Sequence, residues 1–277
     1  MFNIEKAIIE RKSVRTYEPI SIDTEILQTL TKNCLTVNPF KVDVNVQIMH
    51  KDLTQKAETL GTYGIIKGAH TFLGAKVKND AYALEACGYV FERCILEATS
   101  LHLGSCFIGG TFNRSQFEHA FNVNEDELFP VVSPLGIIKD QRRLTDQVFR
   151  TLAKSDRRKA WEDLFFENDF EHPLQKENNE SIDRILESVR LAPSASNKQP
   201  WRILKINNDF HFYLQRTAGY AKALEIDLQR VDMGIAASHF DLMAQFLKLK
   251  CELLFNKEPI LKENDQKEYC FTFTLNI

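Results

Sequence analysis

Apolar residues recur at helical or strand spacing along most of the chain, and the segments follow the same order in its two halves. After Ser21 and again after Ser181, apolar residues fall three and four apart, which predicts a helix that begins at a polar capping residue. Alternation of apolar and polar residues predicts strands at 42–48, 201–206 and 271–275. Each half therefore predicts the order helix, strand, strand, long helix, strand, strand.

Two long apolar segments predict one central helix in each half. The segment from about residue 83 to 102 is apolar on most faces, and its Gly88 leaves room for another helix to approach. Residues 232–252 have a similar pattern, with Gly234 in the place of Gly88. We expect both helices to be buried.

The similarity of the halves indicates an internal repeat. The fold class that we predict is α+β, with antiparallel or mixed sheets packed by helices. The first copy spans residues 1–166, a polar linker spans 167–180, and the second copy spans 181–277. Because such units bury their long helices against each other about a two-fold axis, we expect the chain to be an internal pseudo-dimer and a monomer in solution.

The charge balance excludes some partners. The chain has 35 Lys and Arg against 38 Asp and Glu, a net charge of -3, whereas nucleic acids and anionic membranes select a basic excess. No apolar run approaches the roughly 20 residues that cross a bilayer, and the first residues do not resemble a secretory signal. We expect a soluble, cytoplasmic protein without a nucleic-acid or membrane partner.

Cysteine and histidine spacing gives no sign of a disulfide framework or a metal site. The six cysteines form no C-x-x-C pair, which favours reduced thiols. The seven histidines lack H-x-x-x-H spacing and cysteine partners at ligand spacing, so we expect no bound metal ion.

A basic motif near the start of the chain is a candidate phosphate site. In an extended chain Arg11, Ser13 and Arg15 share one face, and guanidinium groups match phosphate oxygens with paired donors. On a helix, Ser13 would point away from the arginines and the motif would be a solvated helix end. A second basic run at 157–159 either adds charge to this site or is an exposed charge run.

A loop rich in small and polar residues follows the predicted helix of the second half. Pro193 ends that helix, Ser194 and Ser196 offer hydroxyls, and Asn197 and Gln199 offer amides that donate and accept hydrogen bonds. These groups suit a ligand with both donors and acceptors, such as a flavin. The alternative is an Asx-type turn before a core tryptophan.

Adjacent glycines follow a short apolar strand of the first half. Gly109 and Gly110 let a flat ligand approach the backbone N–H groups, since neither has a side chain. A plain turn is the alternative, and the segment is not a G-x-G-x-x-G fingerprint.

Together these motifs resemble the nitroreductase family of FMN-dependent oxidoreductases. R-x-S-x-R after the first helix, A-P-S-x-x-N-x-Q-P-W after a later one, and the GSCFIGG segment carry the resemblance, which covers nearly the whole chain. It is closest to family members with two tandem copies. The first half lacks the A-P-S loop and the second lacks the arginines, so the resemblance implies one composite FMN site per chain.

The resemblance also implies roles for particular residues. The arginine motif with Lys12 would hold the FMN phosphate, the loop with Ala195 would line the ribityl chain and ring, the glycines would lie near flavin N5, and Lys67 near the ring's polar edge. The implied cofactor-binding set is Arg11, Lys12, Ser13, Arg15, Lys67, Gly109, Gly110, Arg157, Arg158, Pro193, Ser194, Ala195, Ser196 and Asn197.

The implied activity is hydride transfer from NADH or NADPH through the flavin to a nitroaromatic, a quinone or another flavin, with no protein residue as the catalyst. Two alternatives remain open at this point: a flavin-binding or sensing protein without turnover, and a degenerate member that no longer binds flavin.

Overall fold

A computed structural model describes residues 2–34, 38–50, 62, 64–110, 112–139, 157–176, 180–220, 225–259 and 267–276. Its helices are α1 (Ile4–Glu10), α2 (Thr24–Cys34), α3 (Ala83–Ser100), α4 (Arg114–Ala120), α5 (Glu180–Leu191) and α6 (Leu228–Phe246). Its strands are β1 (Val44–His50), β2 (Thr71–Lys78), β3 (Gly104–Ser105), β4 (Glu127–Gly136), β5 (Phe165–Glu167), β6 (Trp201–Ile206), β7 (Asp209–Leu214), β8 (Lys250–Leu254) and β9 (Glu268–Asn276).

The strands form two sheets. The first has the order β1-β2-β4-β3 and is antiparallel throughout. The second has the order β5-β6-β7-β9-β8, in which β5 pairs parallel with β6 and the remaining pairs are antiparallel. The predicted α+β class is confirmed. The parallel edge strand β5 joins the end of the predicted first copy to the start of the polar segment 167–180, and it lies in the second sheet.

The two long helices pack against each other, and each also packs on its own sheet. Helix α3 contacts the strands of the first sheet, and α6 contacts β6, β7 and β8 of the second. Both helices are almost wholly buried, and their apolar side chains belong to one core cluster that spans the chain. The predicted central helices are therefore confirmed, with bounds within two residues of the expected ones in α3.

Glycines allow the close approach of these helices. A β-carbon on Gly88 would lie 2.1 Å from the carbonyl oxygen of Val231, and one on Gly234 would lie 1.9 Å from the carbonyl oxygen of Glu85. Real β-carbons do not approach backbone oxygens so closely, so any larger residue would force the helices apart.

The structure differs from the sequence expectation in one pair of cysteines. Cys34 of α2 and Cys94 of α3 face each other with their Cα atoms 5.3 Å apart, a separation that a disulfide spans. The two residues are 60 positions apart in the chain, so no local spacing motif indicated the pair. Cys87, Cys106, Cys251 and Cys270 form no disulfide within the described part of the chain.

In the described part of the chain, the longest and most apolar helices still fall short of what a bilayer crossing requires.

Candidate functional site

A cavity of about 790 Å³, counted to its open mouth, lies where segments of both halves meet. The residues that line it are Arg11, Ser13, Arg15, Phe107, Gly109, Val131, Arg158, Pro193, Ser194, Ala195, Ser196, Asn197, Leu228, Val231, Asp232 and Ile235. Ten of these belong to the set of site residues predicted from the sequence. Lys12, Lys67, Gly110 and Arg157 of that set do not line the cavity.

The arginine motif is extended, and this decides between its two predicted conformations. Helix α1 ends at Glu10, and Arg11 already has extended backbone angles. Ser13 bridges Ser105 of β3 in parallel fashion, and the Val14 N–H donates to the Ser105 carbonyl at 2.7 Å. Alternate residues therefore face opposite sides: Arg11, Ser13 and Arg15 line the cavity, whereas Val14 is buried in the protein.

The remaining basic candidates are distributed around this segment. Lys12 is exposed on the other side of it. The backbone of Lys67 pairs with the arginine segment, because its N–H donates to the Arg15 carbonyl at 2.9 Å, but its side chain is exposed.

Arg158 is a third cation of the cavity, and the A-P-S loop holds it there. Its Nη1 donates to Oδ1 of Asn197 at 3.1 Å, and its Nη2 donates to the carbonyl of Leu191 at 3.1 Å. The neighbouring Arg157 is exposed and contributes its backbone instead, since its carbonyl accepts a 2.7 Å hydrogen bond from Nδ2 of Asn197. Of the second basic run, only Arg158 thus reaches the cavity.

The loop that follows α5 has an unusual backbone. Ser196, Asn197 and Gln199 have φ angles of 49°, 54° and 48°, in the left-handed region that residues with a β-carbon seldom adopt. Hydrogen bonds inside the loop compensate for this conformation: the Gln199 N–H donates to Oγ of Ser194 at 2.9 Å, and the Asn197 N–H donates to the Ser194 carbonyl. Strained backbone of this kind is concentrated at binding and catalytic sites.

The amides of this loop mainly stabilise the loop itself. Asn197 uses Nδ2 on Arg157 and Oδ1 on Arg158, and Oε1 of Gln199 accepts from the Lys159 N–H at 2.8 Å. The loop therefore also fits the alternative prediction, a structured turn before a core tryptophan, since Trp201 is fully buried. The same turn also presents Pro193, Ser194 and Ala195 to the cavity.

Gly109 lines the cavity because it packs directly on α6. A β-carbon at this position would stand 2.7 Å from a methyl carbon of Leu228. Its carbonyl accepts a 3.0 Å hydrogen bond from Nη2 of Arg114, which fixes the segment in place. Gly110 is exposed and lies outside the cavity.

One wall of the cavity was not predicted from the sequence. Leu228, Val231, Asp232 and Ile235 lie three or four residues apart and so share one face of α6. That spacing is visible in the sequence, but it is also the ordinary pattern of a core helix, and it gave no sign that part of the core face borders a cavity. Phe107 and Val131 add further apolar surface from the first half.

Among the described residues, Asp232 is the only carboxyl group that lines the cavity, and it is fully buried. Its Oδ1 accepts a 2.8 Å hydrogen bond from the Ala195 N–H, and its Oδ2 has no hydrogen-bond partner among the described residues. Burial, with a smaller contribution from Asp227, raises the pKa of Asp232 to about 8. At neutral pH the cavity therefore has three arginines and one mostly protonated acid.

Comparison with known proteins identifies the class. The family model described as putative TM nitroreductase matches residues 3–244. A putative nitroreductase from Thermotoga maritima has a similar fold, with a TM-score of 0.61 and 20% identity over 99% of this chain and 93% of that chain. None of the curated proteins matches the chain.

Other solved structures match about half of the chain. A nitroreductase family protein from Clostridium novyi NT covers 52% of this chain and 90% of its own, with 17% identity and a TM-score of 0.41. A nitroreductase with bound FMN from Bacteroides fragilis covers 52% of this chain and 92% of its own, with 18% identity and a TM-score of 0.42.

The chain belongs to the nitroreductase family. The resemblance seen in its sequence motifs is confirmed, and the family model extends through both long helices.

Proposed function

We propose that this protein is an FMN-dependent NAD(P)H oxidoreductase with one composite flavin site per chain. The observation that carries the proposal is the meeting of Arg11, Ser13 and Arg15 from the first half with Arg158 and the 193–197 loop at one cavity. Family membership supports the class of chemistry, and the lining residues support the cofactor.

The cationic part of the cavity suits the phosphate of FMN. A phosphate monoester has nearly two negative charges at neutral pH, and three guanidinium groups with one hydroxyl offer enough donors for its oxygens. No carboxylate lies within salt-bridge distance of Arg11 among the described residues, so its charge is not neutralised there.

The rest of the cavity suits a flat ring with a polar edge. Phe107, Val231 and Ile235 provide apolar surface on which a ring system packs. The 193–197 loop and Asp232 provide the hydrogen-bonding groups that orient the polar edge. We infer that Asn197 affects ligand binding indirectly, because its side chain holds Arg158 in place.

Bound FMN would supply the redox chemistry, accepting a hydride from NADH or NADPH and returning the electrons to a nitroaromatic, quinone or flavin acceptor. The residues of this chain bind and orient the ligands and exclude water from the inner end of the cavity, where Val231 and Ile235 are buried.

The proposal of a single site rests on a comparison within the chain. If Gly88 and Gly234 are equivalent, Tyr82 and Glu85 of the first half take the places of Leu228 and Val231. A second concavity lies there, but its charged residues are Asp80, Glu85, Asp227 and Arg230. Nη1 of Arg230 already pairs with Glu85 at 2.7 Å. An acidic surface of this kind does not suit a phosphate, which supports a pseudo-dimer with one functional site. The copies would then be 1–166 and 181–277, except that β5 at the end of the first range pairs with β6 of the second copy.

A titration and an activity assay test the proposal. Purified protein is titrated with FMN while ligand fluorescence is followed, and NADH or NADPH oxidation is then measured with nitrofurazone or menadione as acceptor. Saturable binding with turnover supports the proposal. Binding without turnover favours a sensing role, and the absence of binding contradicts the proposal.

A further inference from the structure

We propose that Asp232 is a specificity-determining residue of the cavity, which stays protonated and donates a hydrogen bond from Oδ2 to an acceptor atom of the bound ligand. This inference rests on the proposed flavin site and deepens it, because it states which kind of atom the helix wall of the cavity recognises.

One of the two carboxyl oxygens of Asp232 has no hydrogen-bond partner among the described residues. Oδ1 is used by the Ala195 N–H at 2.8 Å, so this oxygen anchors the A-P-S loop to α6. Oδ2 is buried and has no partner among the described residues, although Asp232 lines the cavity. Buried polar atoms are nearly always hydrogen-bonded in native proteins, and a ligand in the cavity would complete the missing bond.

The surroundings of Asp232 favour the neutral acid. Asp227, at the start of the same helix, is also acidic and favours the protonated form, and Tyr220 lies against Ser196 of the loop. Arg230 of the same helix is paired with Glu85. Glu85 of α3 faces α6 near Gly234 but is paired with Arg230. The cavity arginines Arg11, Arg15 and Arg158 form no salt bridge with Asp232 among the described residues.

A protonated carboxyl group is a donor, whereas an ionised one only accepts. The ligand atom opposite Oδ2 is therefore an acceptor, such as a carbonyl oxygen or an unprotonated ring nitrogen. The oxidised isoalloxazine ring of a flavin has both kinds of atom along its polar edge. An ionised Asp232 would instead repel these atoms and the phosphate of the same ligand.

The prediction is a fall in FMN affinity as Asp232 ionises. Because burial raises its pKa to about 8, the dissociation constant of the wild-type protein should rise about tenfold between pH 7 and pH 9. The phosphate monoester itself contributes little in this range, since its second pKa is near 6.

Asp232→Asn separates this mechanism from its alternatives. The amide keeps an oxygen for the Ala195 N–H and a donor for the ligand, but it does not ionise, so we expect affinity to be retained at pH 7 and to vary less than about twofold up to pH 9. The matched control is Asp241→Asn on the same helix. Asp241 is buried and bonded to Tyr89 and Gln245 outside the cavity, and this variant should keep the tenfold fall.

The experiment is FMN titration of the full chain at pH 7, 8 and 9 for the wild type and both variants. A wild-type affinity that is constant over this range, or an equal fall in Asp232→Asn, overturns the inference while the flavin site stands. An equal fall in Asp232→Asn would assign the pH dependence to another group, such as Lys159, whose burial lowers its pKa to about 8. No FMN binding at any pH overturns the proposed function and this inference with it.

Discussion

Gly234 of α6 faces Glu85 of α3 so closely that a β-carbon on the glycine would stand 1.9 Å from the glutamate carbonyl oxygen. The reciprocal contact joins Gly88 of α3 to Val231 of α6, with a corresponding distance of 2.1 Å. Residues exchange roles in this way across the two-fold axis of a symmetric dimer. Since Val231 also lines the cavity, the close packing of the helices and the position of the site are linked.

Gly234→Ala should destabilise the fold by about 1–3 kcal/mol, because the new methyl group overlaps the backbone of α3. Helix propensity alone predicts the opposite sign, a gain of up to about 1 kcal/mol. Urea unfolding of the variant and the wild type decides between them, and a variant more stable than the wild type would show that the helices are not this close.

Arg11→Ala should weaken FMN binding by roughly 5- to 150-fold, the effect of losing about 1–3 kcal/mol from a charged hydrogen bond. Riboflavin, which lacks the phosphate, should lose much less. Lys12→Ala is the matched control, because it removes an adjacent but exposed cation outside the cavity. Equal losses for FMN and riboflavin would mean that Arg11 does not bind the phosphate.

Asn197→Ala and Arg158→Ala should each weaken FMN binding, and their effects should not add. Asn197 orients Arg158 through a 3.1 Å hydrogen bond, so part of the effect of its removal should disappear once the guanidinium is gone, and the remainder reflects its hydrogen bond to the Arg157 carbonyl. A double-mutant cycle measures this coupling, which we expect to exceed about 0.5 kcal/mol. Additive losses would instead indicate that Asn197 contacts the ligand independently.

Asp232 should also make the protein less stable as pH rises. Its pKa is raised from 3.8 to about 8 by burial, so between these values the folded state binds a proton that the unfolded state has lost. The contribution is fully present below pH 3.8 and decreases by up to about 1.4 kcal/mol per pH unit toward pH 8. Chemical unfolding at pH 5 and pH 8 should show a smaller decrease in Asp232→Asn than in the wild type. The same decrease in both proteins would mean that Asp232 is ionised in the fold.

The periodic parts of the fold were predictable from the sequence. Strand β6 has the expected bounds, and α3 begins at the expected residue, because long segments with clear periodicity depend little on tertiary context. Strand β1 lies two residues later than expected. The place of β5 in the second sheet was not predictable, since a three-residue strand has too few positions to show a period.

The candidate site was predictable from the sequence where a motif determined the backbone conformation. It was not predictable where the packing of distant segments determines which side chains are buried. The R-x-S-x-R alternation predicted that Arg11, Ser13 and Arg15 share one face in an extended chain, and the extended segment does bring all three to the cavity. Asp232 escaped notice because a single acid in a helix is usually solvent-exposed, and only the packing of α6 against the loop shows that it is buried.

The number of FMN molecules bound per chain tests the central claim most directly. Equilibrium dialysis of the purified protein against FMN, followed by absorbance near 450 nm after denaturation, gives this number. The composite site predicts one FMN per chain, bound more weakly by Arg15→Ala and lost in a variant whose cavity is filled, Ala195→Trp. Two FMN molecules per chain, or one that survives both substitutions, would contradict it.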